Sequence, residues 1–497
     1  MPATDTAVAA PKASRHLVVW SLVACAVFLG LLFLILPQSR FADDFLLLHD
    51  RPAPGFFAYL TQHHPFSSAY YRPLMLVFTH AVQYLWGTAV WPINLVHLLL
   101  HLGLGLLVYR AARDLALPRG AALGAALWTL TAQIVVHPLY SLDTFPQLAM
   151  TLAGWGAVYL LYRALWKSPP GAPRIGRVAG AALLFFAALL CRENALGFLG
   201  AVTVVIACYA FKDRQNRRVL WFLLPFAALT VAYFLLRVEA TSDAAVGTFL
   251  NLSLRQLLNP LLLLGAVLTP LPSDQLIMAL RRGDWPIFGG GLLILLALLA
   301  LIVLGLRRNG RHRLVWVMIA LLACSMVPHF LLNHISELYA YNSLPVFAIL
   351  AALGLYTLYR KSSTNRRRLL TGLLGLLMAV NLYGVVHKTA LLSRNGRDAR
   401  HLLQQLEPYQ RQLEPGGTLY LLNPAYNKPY YSVFHLNGFW LLNYFVSHYP
   451  AVPRDYTRHL WIGNADQLYR LATGPDDTLL TLEPDSLTVT PWEDAGP

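Results

Sequence analysis

The residues best equipped for chemistry in this chain stand at the ends of apolar runs. In "RFADDFLLLHD", residues 40–50, Asp43 and Asp44 follow directly on a run long enough to cross a bilayer. Adjacent side chains do not share a face of a helix or strand, so the two acids need not work as a pair. A carboxylate at the border between lipid and water is partly desolvated, which suits it to general-base work. The plainer alternative is a polar cap that ends a membrane helix.

Five more stretches carry ionisable or hydrogen-bonding groups. "HHPFSSAYYRPL" holds His63, His64, Tyr70, Tyr71 and Arg72. A guanidinium among Tyr and His donors suits a phosphate, although aromatic anchors with a snorkelling Arg would look the same. "NLVHLLLH" places Asn94, His97 and His101 at spacings of three and four, on one helix face. Polar groups inside a membrane segment face a protein interior or a watery cavity, and we expect these to line the site. An interhelical hydrogen-bond network is the alternative. His97 and His101 have the spacing of two metal ligands but lack the carboxylate of an HExxH frame. The last three are "HPLYSLDTF" with His137 and Asp143, "CRENALG" with Arg192, Glu193 and Asn194, and "HFLLNHISELYAYNSLP" with His329, His334, Glu337 and Tyr341.

The elements that must position these groups follow from composition. The chain has 497 residues, 57% hydrophobic and 13% charged, with a mean hydropathy of +0.50. Soluble proteins carry about 25% charged residues. Apolar runs of about 20 residues recur, so we expect an all-α polytopic membrane protein. The net charge of +15 does not indicate nucleic acid, because the basic residues sit in short loops such as "KDRQNRR", "RRNGRHR" and "YRKSSTNRRR". The cysteines, Cys25, Cys191, Cys208 and Cys324, lie in apolar runs and imply no disulfide framework.

Reading the basic loops as cytoplasmic gives about eleven spans, near 16–36, 91–109, 120–138, 144–162, 177–191, 195–211, 219–236, 286–306, 314–332, 340–358 and 369–387. The Pro-interrupted segment 257–272 reads as re-entrant or interfacial. More than half of the 39 Lys and Arg residues then fall in the inner segments. The N-terminus lies inside, and all six chemical stretches lie toward the outer face. A first outer loop, about 37–90, contains "RPLMLVFTHAVQYLW", which suits a helix in the interface plane. Residues 1–389 form the membrane domain. Residues 390–497 form a small extracytoplasmic α/β domain, with a helix in "GRDARHLLQQLEPYQRQL" and strands in "TLYLLN", "TLLTLEP" and "LTVTPW".

The order of these motifs along the spans resembles the GT-C glycosyltransferases, multi-pass enzymes that take a sugar from a polyprenyl-phosphate carrier. It is most similar to the transmembrane O-mannosyltransferases that elsewhere carry tetratricopeptide repeats, with the protein mannosyltransferases and aminoarabinose transferases behind them. The carriers are the acids after the first span, "YYRPL", the polar second span, the outer "HP" of His137, "RENALG" and "SELYAYNSLP". The pattern departs at Asn94 and His97, which stand in exchanged order, at Leu338, where an Arg would follow Glu337, and at "LDTFPQL", which replaces a basic-acidic motif. No repeat array follows.

The resemblance implies an inverting transfer to an acceptor hydroxyl, with Asp43 or Asp44 as base. It implies that Arg72 and Arg192, with Tyr71, hold the donor phosphate and that Glu193 orients Arg192. The partners it implies are a polyprenyl-phosphate-linked sugar, a protein, lipid or glycan acceptor, and membrane lipids. No cofactor follows, and a divalent metal has no ligand set in the sequence to support it. A lipid-linked-saccharide flippase or transporter, and a polysaccharide ligase or polymerase, are the competing classes. Transporters place ionisable groups near the midplane and show internal repeats, neither of which stands out here.

Overall fold

A computed structural model describes residues 15–35, 58–61, 71–87, 89–167, 175–212, 214–240, 256, 259–269, 273–330, 336–412, 418–422, 458–462, 478–482 and 489–491. Asp43, Asp44, His63, His64 and His334 lie outside these residues.

The described helices are α1 (Arg15–Gly30), α2 (Ala58–Thr61), α3 (Pro73–Trp86), α4 (Trp91–Asp114), α5 (Arg119–Thr131), α6 (Val136–Tyr140), α7 (Phe145–Trp166), α8 (Ile175–Cys191), α9 (Leu196–Ala210) and α10 (Leu223–Ala240). They continue with α11 (Asn259–Leu268), α12 (Ser273–Arg282), α13 (Trp285–Arg307), α14 (His312–Phe330), α15 (Glu337–Ala340), α16 (Leu344–Arg360) and α17 (Thr364–Leu406). Several open on proline in the first turn, including α3, α4, α7, α13 and α16. The ring's fixed φ suits that position, and its missing N–H would have no helical partner there. The side chain of Asp284 caps α13 by accepting from the Ile287 N–H, at 3.5 Å.

Among the described residues, seven helices are long and apolar enough to cross a membrane, or eight if the pair α5–α6 counts as one. The expected spans 16–36, 177–191 and 340–358 coincide with shorter apolar helices, Val18–Leu34, Ile175–Cys191 and Leu344–Arg360. The span expected over 120–138 is not one straight helix. It bends by 45° where Ala132 turns extended and Gln133–Val135 form a 3₁₀ turn. The bend turns Gln133 and His137 into the protein interior, where both are buried. Segment 257–272 contributes α11, whose 10 residues rise only about 15 Å, half of a bilayer core.

Burial separates central from peripheral helices. About half of the apolar window is buried in Trp91–Asp114 (50%) and Leu142–Trp166 (56%), against 17% in Gln215–Val238 and in Trp285–Arg307. The latter two present leucines outward, such as Leu235 and Leu293, as a lipid-facing surface requires. Where helices touch, small residues allow close approach. A Cβ on Gly305 would lie 2.0 Å from the Gly354 carbonyl oxygen, and one on Gly197 would lie 2.5 Å from that of Cys324.

At 43 residues, α17 is about 64 Å long, roughly twice the hydrocarbon thickness. It therefore continues well past the membrane, and the boundary placed at 389/390 falls within it. Residues 396–412 of "GRDARHLLQQLEPYQRQL" form its last turns and a short 3₁₀ segment, Glu407–Gln412. Beyond it lie β1 (Thr418–Leu422), β2 (Arg458–Ile462), β3 (Thr478–Leu482) and β4 (Val489–Pro491), in the order β2-β1-β3-β4. β1 is parallel to β2 and β3, and β4 is antiparallel to β3. Tyr409 ties the end of the helix to the sheet by donating to the Val489 carbonyl at 3.2 Å. Strands β1, β3 and β4 match the three read from the sequence.

Candidate active site

The loops at one end of the bundle bring together residues from five sequence-distant segments. Arg72, just before α3, meets Glu193, in the turn between α8 and α9. Its Nη2 lies 2.7 Å from Oε1 and its Nε 3.2 Å from Oε2. This fork-to-fork contact fixes both side chains and the approach of α3 to the bundle. The Tyr71 hydroxyl, by contrast, is turned to the backbone of α2, donating to the Leu60 carbonyl at 2.8 Å, while its ring packs on Tyr233.

Arg192 is 7% exposed and is held from two sides. Its Nη1 donates to Gln147 Oε1 at 2.8 Å, and its guanidinium lies 5.2 Å from the centre of the Tyr339 ring. Its Nε is buried with no hydrogen-bond partner among the described residues. Glu193 and Asp143 act on it electrostatically with opposite charge and Arg72 with like charge. Glu193 lies between two guanidinium groups, and Asp143 adds a second negative charge near Arg192.

Gln147 passes the contact on. Its amide donates to Asn342 Oδ1 at 2.5 Å, and Thr151 donates to the same oxygen at 2.6 Å. The indole N–H of Trp155 donates to the Asn342 carbonyl at 2.8 Å. His329 bridges Asn194, at 3.2 Å, and Asn342, at 3.3 Å, and stacks on Tyr339. The result is a polar network between α7, α9, α14 and the segment 337–343. Gln147 and Asn342 were not singled out in the sequence; a Gln in the first turn of a span and an Asn beside a Tyr were the available signals.

A second group lies on the other side of that segment. Glu337 pairs with Lys388 of α17 at 2.6 Å, both largely buried, and Lys388 also donates to Gln133. His137 and Asp143 belong here; Asp143 accepts from the Ser141 hydroxyl at 2.5 Å and acts electrostatically on both His137 and Arg192. Asp143 therefore stands between the two groups. Lys388 was missed because it follows the eleventh expected span directly and reads as an ordinary polar end.

Asn94, His97 and His101 are all buried and contact other helices. Asn94 donates to the Phe33 carbonyl at 3.2 Å. His97 packs against Phe78 and Phe145. His101 Nε2 faces the Leu130 carbonyl at 3.2 Å, so it carries the proton. Nδ1 then accepts from the Tyr341 hydroxyl at 2.7 Å. Among the described residues no group of three His, Cys, Asp or Glu could hold a metal ion.

The short segment 337–342 thus reaches four ways. Glu337 goes to Lys388, Tyr339 to Arg192 and His329, Tyr341 to His101, and Asn342 to Gln147.

This architecture has known counterparts. The Alg9-like mannosyltransferase family matches residues 287–435. No curated protein matches the chain in sequence. ArnT from Cupriavidus metallidurans bound to undecaprenyl phosphate superposes with a TM-score of 0.52 at 16% identity, covering 95% of this chain and 94% of that one. ArnT in the apo state gives 0.51 at 14%, covering 94% and 93%. The Archaeoglobus fulgidus oligosaccharyltransferase in the apo form gives 0.50 at 12%, covering 91% of this chain but 65% of that one. The chain is a multi-pass membrane protein with the fold of these glycosyltransferases, and the resemblance carried by its motifs is borne out at that level.

Proposed function

We propose that this protein is an inverting membrane glycosyltransferase that moves a sugar, mannose or a related hexose or pentose, from a polyprenyl-phosphate carrier to an acceptor hydroxyl. One observation carries the reading: Arg192, a buried cation with an N–H left without a hydrogen-bond partner among the described residues, beside a second guanidinium, Arg72. That is a site built for an anion. The fold shared with ArnT bound to undecaprenyl phosphate and the match to a mannosyltransferase family support a lipid-linked phosphosugar as that anion.

In the reaction, the acceptor oxygen attacks the anomeric carbon as the bond from that carbon to the phosphate oxygen breaks. Asp43 or Asp44 takes the acceptor's proton. The phosphate leaves with its electron pair, stabilised by Arg192 and Arg72, and needs little protonation. The site faces the extracytoplasmic side, with the basic loops in the cytoplasm. About eleven helices cross the membrane, and the sheet β1–β4 belongs to an outer domain beside the site.

The test is sugar transfer from radiolabelled polyprenyl-phosphate sugars in membranes carrying Asp43→Asn or Asp44→Asn. Neighbouring side chains point apart, so one substitution should abolish transfer and the other should cost much less. Full activity in both variants overturns the mechanism.

A further inference from the structure

Away from the polar network, the opposite end of the bundle opens a crevice of about 810 Å³ between α4, α7, α9, α14 and α16. Its walls are predominantly apolar. Along α14 it runs from Arg311 to Leu321, and along α7 from Trp166 to Trp155. Ten or eleven helical rises make it about 15 Å deep, half the roughly 30 Å hydrocarbon core and so one leaflet.

The mouth is charged. Lys212, Arg311 and Arg313 line it, as does Asp114. Asp114 is already engaged, 3.6 Å from Arg163 Nε and accepting from the Tyr159 hydroxyl at 2.9 Å. Arg311 donates to the Leu115 carbonyl at 2.7 Å, which holds it at the rim. The 19-residue helix α14 begins beside it at His312, so its first-turn N–H groups add positive potential at the same place. Three cations, a helix N-terminus and one neutralised acid over an apolar slot one leaflet deep describe the complement of a lipid with an anionic head.

We propose that this crevice is a binding site for one anionic phospholipid of the leaflet on the basic side of the bundle. The phosphate sits among Lys212, Arg311 and Arg313, and an acyl chain fills the slot. A polyprenyl carrier is the poorer match, since its chain is far longer than one leaflet is deep. Trp155 lines the slot, and its indole N–H holds the Asn342 carbonyl of the polar network. A lipid in the slot would therefore touch a residue of that network. The proposal does not depend on sugar transfer.

The test is native mass spectrometry of the full chain, reconstituted in nanodiscs of phosphatidylcholine with or without phosphatidylglycerol and then released into detergent. The expected result is one phosphatidylglycerol retained per chain and no phosphatidylcholine. Retention should drop at least tenfold in Lys212→Ala/Arg313→Ala and in Val205→Trp, which fills the slot and leaves the charges in place. Thermal unfolding checks that each variant is folded. No retained lipid, equal retention of phosphatidylcholine, a polyprenyl phosphate in its place when one is offered, or wild-type retention in whichever variants fold would each overturn the proposal.

Discussion

Arg72 grips Glu193 with two parallel contacts, at 2.7 and 3.2 Å, across 121 residues of sequence. Glu193 also stands next in sequence to Arg192 and offsets its charge. One carboxylate thus restrains two cations that would otherwise repel each other. In a double-mutant cycle with Arg72→Ala and Glu193→Ala, sugar-transfer activity should report a coupling of about 1–3 kcal/mol. Additive losses would mean that the pair does not act as a unit.

Arg192 has the most specific chemistry. Arg192→Lys keeps the charge but loses the planar fork that serves Gln147 and the buried Nε position at once. A charged hydrogen bond is worth about 1.5–3 kcal/mol, so catalytic efficiency should fall roughly 10- to 150-fold for Lys and further for Ala. Steady-state kinetics against donor concentration is the measurement. An unchanged Lys variant would remove Arg192 from phosphate binding.

Lys388 and Glu337 form a buried pair with side chains 1% and 10% exposed. Removing one partner strands the other charge. Lys388→Met should cost about 3–5 kcal/mol in unfolding free energy, and Lys388→Met/Glu337→Gln should recover much of it. Chemical denaturation in lipid–detergent bicelles would measure both. A double variant no more stable than the single one would show that the cost lies in lost packing.

Gly305 allows the crossing of α13 and α16. Gly305→Ala would place a methyl 2.0 Å from the Gly354 carbonyl oxygen, whereas Gly372→Ala, with nothing within 4 Å, would meet open space. Overpacking costs about 1–3 kcal/mol or more, so thermal unfolding should fall clearly for the first substitution and be unmoved or raised for the second. Equal melting temperatures would mean that the two helices can separate without loss.

Much of the scaffold could be read along the chain because apolar length is a local property. Every window of 20 apolar residues announces a helix whatever it packs against, and β1, β3 and β4 were legible as short strand-like runs near Gly and Pro. The break at Ala132 was not legible. Residues 120–138 read as one largely apolar run, and the 45° bend appears where Gln133 meets Lys388. β2 was also missed: "RHLWI" is five residues long and acquires its partner only across the sheet.

The sequence by itself determined that this is a mostly helical, multi-pass membrane protein, because hydrocarbon admits little else than apolar helices. It also supplied Arg72, Arg192, Glu193, Glu337 and Tyr341 as residues worth watching. Only the tertiary structure decided who partners whom: Glu193 with Arg72, Gln147 with Arg192 and Asn342, Glu337 with Lys388, His101 with Tyr341. Each of these is a side-chain contact between helices far apart in the chain. A buried polar group takes whatever donor or acceptor the helix packing brings within 3 Å, and that choice is written in the packing of the bundle rather than in any one stretch of residues.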